Sequence, residues 1–248
     1  MSERRCKKKK KQKQKQKQKQ GRALLAAAVC LLLAGMALLL FPVITDWMYR
    51  ARTEGAYRDF VQWSRNDAET DSLDKLYREL VRRNGELYEN GQQELDDPFS
   101  YQQPDVDLSA YGLEGNIIGF VSIEKMNVRL PILLGANEEN MKQGAAHLTN
   151  TSYPVGGGNT NCVLAAHRGY SRTAMFRDIE LLEPGDEVVI ENFRETLVYE
   201  TVETKVIDPD EIQEVLIQDG KDMVTLITCH PYRENRQRYV VYCERKKN

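Results

Sequence analysis

The sequence predicts a mainly β protein: a closed or nearly closed barrel of about seven or eight strands with short helices, preceded by an amphipathic helical region and one membrane-spanning helix. Three observations carry that expectation. Residues 23–44 are an uncharged apolar run. Apolar side chains then recur at helical spacing in the 70s and 80s, and from Asn116 onward short apolar runs alternate with Gly- and Pro-bearing turns.

Charge separates the first element from the rest. The 248 residues carry 35 Lys+Arg and 37 Asp+Glu, and 12 of the basic residues lie within residues 1–22 beside a single acid, Glu3. The remainder therefore holds 23 basic against 36 acidic residues. A body this acidic would repel phosphate, which excludes a uniformly basic nucleic-acid binder. The Lys/Gln tract over 7–20 has no apolar side chain to bury, so residues 1–22 are expected to be a disordered tail.

The run over 23–44 is 22 residues long, enough at about 1.5 Å per residue to cross a hydrocarbon layer of about 30 Å. Twelve positive charges before it and Asp46 after it place the tail in the cytoplasm and residues 47–248 outside. A cleaved signal peptide fits less well, because the run exceeds a signal core and no small-x-small site follows it. Next to a span, the basic tract needs no nuclear-localisation or RNA-binding role to explain it.

Within 45–95, Leu73, Leu76, Tyr77, Leu80 and Val81 repeat with a period of about 3.6, the mark of an amphipathic helix, and Asn90-Gly91 offers its C-terminal stop. The Pro- and Asp-rich segment 96–112 reads as a loop. The domain over 113–248 contributes strand-type runs at 117–123, 128–133, 161–167, 186–192, 195–207, 223–229 and 238–244, with a short helical piece at 209–217. Gly156-Gly157-Gly158 reads as a tight turn, since no phosphate-loop Lys-Ser/Thr follows it.

Three residues suit nucleophilic acyl chemistry by position. His167 ends the run NCVLAAH, Cys229 ends MVTLITC, and Arg238 opens RYVVYCE. Side chains at strand ends are held by rigid elements yet face a rim. A thiol acts as thiolate, an imidazole can exchange protons with the leaving and attacking amines, and a guanidinium can hold the developing oxyanion. Each residue alone also fits a duller role: a buried small thiol, a structural histidine, a surface charge. His147 has no assigned chemistry. No Cys or His pair has zinc-ligand or CxxC spacing, so neither a metal nor a redox site is expected. Cys162 and Cys243, on expected core strands, fit free buried thiols better than a disulfide, and the sequence leaves both open.

These residues fall within longer motifs. The segment TLITCHPYRENRQR (225–238) resembles the TLxTC…R signature of the sortases, membrane-anchored cysteine transpeptidases of Gram-positive bacteria. GAAHLTNTSYPVGGGNTNCVLAAHRG (144–169) and FRDIELLEPGD (176–186) are similar to blocks of the class C, pilin-polymerising sortases. The resemblance spans about residues 75–245. It implies Cys229 as nucleophile, His167 as general acid/base, Arg238 as the group on the substrate carbonyl or its oxyanion, and Thr228 as a substrate contact.

It further implies a lid in 96–112 that carries Asp97-Pro98-Phe99, with Phe99 over the Cys229 sulfur and Asp97 paired with a cation such as Arg238. No cofactor is implied. The implied substrates are pilins or surface proteins bearing an LPxTG-like sorting signal. The implied acceptor is a pilin lysine or, alternatively, a peptidoglycan amine. Two departures stand out. His230 occupies a place that commonly holds a small polar residue, and no second apolar helix follows the last strand, so orientation is expected to rest on the N-terminal anchor. A non-enzymatic, membrane-tethered binding module is the remote alternative.

Overall fold

The computed structural model describes residues 2–65, 70–92, 102–113, 115–169, 173–232 and 234–247. The chain divides into two compact units, Met1–Met48 and Tyr49–Asn248. Helix α1 spans Ser2–Ser64. Among the described residues one helix, counted from Ala28 to Ser64, is long and apolar enough to cross a membrane. In the first unit Leu31, Leu32, Leu38 and Leu39 stand exposed on it. The helix takes in the basic tract that the sequence predicts as disordered. Lys and Gln are good helix formers, and the tract prolongs a helix that the apolar run has already nucleated.

In the second unit the end of α1 packs on the barrel through aromatic rings, Tyr57 and Phe60 lying edge-on to Phe120 at 5.2 and 5.5 Å. Helix α2 (Thr70–Glu89) buries Leu73, Leu76 and Leu80 as its spacing predicts, while Val81 is exposed. It stops where expected. Gly91 takes φ +65°, its N–H donates to the Tyr88 carbonyl, and the Gln92 N–H donates to that of Leu87, the paired bonds that close a helix C-terminus.

Eight strands form a closed barrel: β1 (Ile117–Ile123), β2 (Val128–Leu134), β3 (Ala145–His147), β4 (Thr160–Ala165), β5 (Glu187–Asn192), β6 (Thr196–Ile207), β7 (Asp222–His230) and β8 (Gln237–Arg245). Their order around the barrel is β1-β2-β3-β4-β7-β8-β6-β5. The β2–β3 and β4–β7 pairs are parallel and the others antiparallel. Strand β3 has only three residues, too few to show a period. Helix α3 (Glu138–Gln143) connects β2 to it, and the expected helical piece at 209–217 is a 3₁₀ turn, Ile212–Val215.

Strands β4, β7 and β8 are apolar on both faces, which is why they read as continuous apolar runs. Their inward row includes Cys162, Leu164, Val224, Leu226, Val241 and Cys243. Their outward row, Val163, Ala165, Met223, Ile227, Val240 and Tyr242, packs in a second cluster with Met141 of α3 and Val215. Two faces with different neighbours thus reach the same strand ends.

Candidate active site

Cys229, one residue before the end of β7, stands directly opposite Arg238 of β8 in the antiparallel ladder. On the other side, β4 runs parallel to β7 with Ala165 beside Ile227. The Ala166 N–H donates to the Ile227 carbonyl at 3.2 Å, and the Thr228 hydroxyl donates to the Ala166 carbonyl at 2.7 Å. Continued for two more residues, the same parallel register sets His167 level with Cys229. The His167 carbonyl accepts from the N–H groups of Gly169 at 2.8 Å and Phe176 at 3.1 Å, so the turn after it is also fixed. Gly169 has φ +82°, a conformation that strains any other residue at this close turn.

The three sequence-derived candidates therefore converge on one end of the barrel wall. Cys229 and Arg238 share its outward face: along β7 the order Met223, Thr225, Ile227, Cys229 alternates with the inward Val224, Leu226 and Thr228, and Arg238 falls in the same row as Val240 and Tyr242, while His167 lies two residues past the outward Ala165. Cys229 and His167 are half-buried, and Arg238 is buried, its Nη1 donating to the carbonyls of Asn235 and Gln237 at 3.1 Å each. Burial, followed by the nearby Lys142 charge, holds the His167 pKa below the usual imidazole value. An imidazolium in such a setting releases its proton readily.

Thr228, expected as a substrate contact, is fully buried on the inward face with its hydroxyl committed to Ala166. The residues Asp97, Pro98 and Phe99, expected in a lid, lie outside the described residues. What can be placed is the chain on either side of them. The Gln92 side chain bonds to the Asn150 carbonyl and the Ile217 N–H, and the Gln102 N–H donates to the carbonyl of Ala136, a residue of the outward apolar cluster.

The other histidines separate in role. His147 is buried against the Tyr153 ring at 5.0 Å, with Nε2 3.1 Å from the Ser152 carbonyl. Burial lowers its pKa, and nothing places it at the site. His230 lies at the site's edge on the face opposite Cys229, in contact with Arg168 and Glu180. Arg168 and Glu180 lie within the motifs, but the sequence assigns them no role. Cys162 and Cys243 are free and buried, and burial pushes the Cys243 thiol up to about 12. Among the described residues no group of three His, Cys, Asp or Glu could hold a metal ion.

Similarity to known proteins bears on this geometry. The sequence profile of the Sortase domain matches residues 121–246. Sortase A of Bacillus anthracis is 31% identical over 156 residues, which cover 62% of this chain and 72% of that protein. The crystal structure of Streptococcus pneumoniae sortase C superposes with a TM-score of 0.68 at 28% identity, covering 78% of this chain and 97% of its own. Clostridium perfringens sortase C with the C-terminal cell wall sorting motif superposes with a TM-score of 0.65 at 36% identity, covering 78% and 99%.

Proposed function

The chain belongs to the sortase family, and from that premise we propose that it is a membrane-anchored cysteine transpeptidase joining proteins that carry an LPxTG-like sorting signal to an amine. The observation that carries this reading is the flanking of Cys229 on one face by Arg238 of β8 and by the end of β4 that bears His167. The Cys229 thiolate attacks the threonine carbonyl carbon of the signal, and the oxyanion that forms is held by Arg238. As the C–N bond breaks, His167 gives its proton to the departing glycine amine, leaving a thioester on Cys229. An incoming amine then attacks the thioester and loses a proton to His167. The C–S bond breaks and the thiolate returns.

Thr228 serves the reaction by fixing Ala166 and so the approach of His167. The outward apolar cluster leads along β7 and β8 to the nucleophile and suits the Leu-Pro end of the signal. The acceptor in this reading is a lysine side chain of a pilin subunit. It is supported by the likeness to sortase C structures and by the motifs over 144–186. The match to a sortase A supports the second reading, a peptidoglycan amine as acceptor.

In either case residues 1–22 are cytoplasmic, 23–44 span the membrane, and the barrel works on the outer surface of a Gram-positive cell. Asp97-Pro98-Phe99 would form a lid over the nucleophile. The bonding of Gln102 to the Ala136 carbonyl beside the outward cluster supports that position.

Mass spectrometry of the full chain in detergent, incubated with an LPxTG peptide and either a lysine-bearing pilin peptide or triglycine, tests the reading. A thioacyl adduct is expected on the wild type and absent from Cys229→Ala. Transfer to lysine establishes the pilin acceptor, and transfer to triglycine alone moves the assignment to cell-wall anchoring. Faster adduct formation in Asp97→Ala/Phe99→Ala supports the lid. No adduct with any sorting peptide refutes the transpeptidase.

A further inference from the structure

Behind the outward Cys229 and Arg238 lies a second row, on the opposite face of the same strand ends. His230 follows Cys229 on β7 and therefore projects to the inward face. Arg168 follows His167 and reaches it there: its Nη1 lies 2.9 Å from His230 Nδ1. The other terminal nitrogen of Arg168, Nη2, meets Glu180 Oε2 at 2.5 Å, and Glu180 Oε1 lies 3.3 Å from His230 Nδ1. The His230 ring in turn packs at 5.8 Å from Tyr239, the residue of β8 next to Arg238. Each of the three candidates thus has a chain neighbour in this inward group.

We propose that Arg168, Glu180 and His230 are positioning residues: a brace that ties the end of β4 to the end of β7 and so fixes His167 against Cys229. This rests on the catalytic reading above and adds residues that do not touch the reacting atoms. The chemistry of the contact is specific. A guanidinium can only donate, so in the 2.9 Å contact with Arg168 it is His230 Nδ1 that accepts.

Its placement is costly in other respects. The Arg168 side chain is 6% exposed and its Nε is buried without a hydrogen-bond partner among the described residues. An apolar residue would fill the space at less desolvation cost, whereas only a forked cation bridges Glu180 and His230 together. The Ala166 N–H to the Ile227 carbonyl and the Thr228 hydroxyl to the Ala166 carbonyl tie the two strands at one level. Two residues further along both chains, the Arg168–His230 bond ties the strand ends again.

The test uses the full chain in detergent and measures thioacyl formation on Cys229 in single turnover, together with thermal unfolding. In His230→Leu and Arg168→Met the acylation rate constant is expected to fall at least ~10-fold, with the peptide concentration at half-maximal rate unchanged, since loss of reactive alignment acts on rate rather than binding. His230→Asn is expected to recover most of the rate, because its amide oxygen can accept from Arg168 in place of Nδ1. Glu180→Gln is expected to fall between them.

Equal rates in wild type and His230→Leu overturn the brace. So does a His230→Asn variant as slow as His230→Leu at equal thermal stability, because the accepting atom would then be immaterial. If Arg168→Met does not fold, the His230 pair decides alone. Absence of any adduct on wild type refutes the catalytic reading and the brace with it, whereas an adduct of undiminished rate in the variants refutes the brace only.

Discussion

Cys229 and Arg238 are opposed residues of one antiparallel ladder, on one face of two strands whose other face is barrel core. Opposed residues on a common face hold their Cβ atoms about 4.5–5.5 Å apart, so the guanidinium is delivered to the Cys229 thiol by sheet register rather than by loop conformation. Its Nη1 is aimed by two carbonyls, those of Asn235 and Gln237. If Arg238 holds the oxyanion, Arg238→Gln lowers the acylation rate constant about 10²–10³-fold, the usual loss on removing one such donor. Arg238→Lys recovers part of it. Single-turnover acylation checks this, and a variant that binds peptide weakly but acylates at the normal maximal rate would assign Arg238 to ground-state binding instead.

Lys142 gives a handle on the protonation of His167. Burial is the larger cause of the lowered His167 pKa and the Lys142 charge the second. Lys142→Gln removes the positive charge and relieves part of the shift, so the His167 pKa rises toward its ordinary value. The acid form then persists to higher pH. The limb of the pH–rate profile that reports protonated His167 is expected to move upward in pH, by less than the whole burial effect. An unmoved limb in the variant would mean that another group governs the profile.

His147 sets a different pH dependence, that of stability. Its pKa is lowered by burial, and Nε2 faces the Ser152 carbonyl while Nδ1 has no partner among the described residues. In the unfolded chain a histidine takes up its proton near pH 6.5. As pH falls below that value the unfolded state binds more protons than the folded one, and stability drops. The half-buried His167 acts in the same direction. Urea unfolding of the wild type is therefore expected to weaken from about pH 7 to pH 5, with up to about one proton of slope from His147. His147→Gln is less stable at pH 7 but loses that part of the slope.

The strands with strong apolar character were legible from sequence to within about two residues at their ends, and the closed barrel with them. Strand β3 was not, because Ala145–His147 is too short to show alternation and is a strand only by pairing with β2 and β4. The helix over 70–89 was legible through Leu73, Leu76 and Leu80, while Val81 shows that periodicity marks a face without fixing its width. At the site, the order of His167, Cys229 and Arg238 along the chain marked three strand ends. That Cys229 stands opposite Arg238 on one face, with the end of β4 alongside, follows from the β4–β7 and β7–β8 registers, which no local pattern encodes. Arg168 and His230 were hidden for the same reason: each is next to a candidate in sequence but meets the other only because two parallel chains end at the same level.

The register also decides the chemistry of the remaining thiols. Cys162 of β4 pairs with Val224 of β7, which pairs with Cys243 of β8, so one strand lies between the two cysteines. Two strand spacings amount to about 9.5 Å, beyond the roughly 7 Å Cα separation that a disulfide can bridge. Both are buried, and burial raises both thiol pKa values, that of Cys243 to about 12. Neither can present a thiolate near neutral pH without opening the barrel. Iodoacetamide at pH 7.5, followed by peptide mapping, is expected to modify half-buried Cys229 in the folded protein at least 100-fold faster than Cys162 or Cys243. All three should become comparable in urea. Modification of Cys243 at a rate like that of Cys229 in the folded state would mean that β8 opens locally, and with it the strand that delivers Arg238.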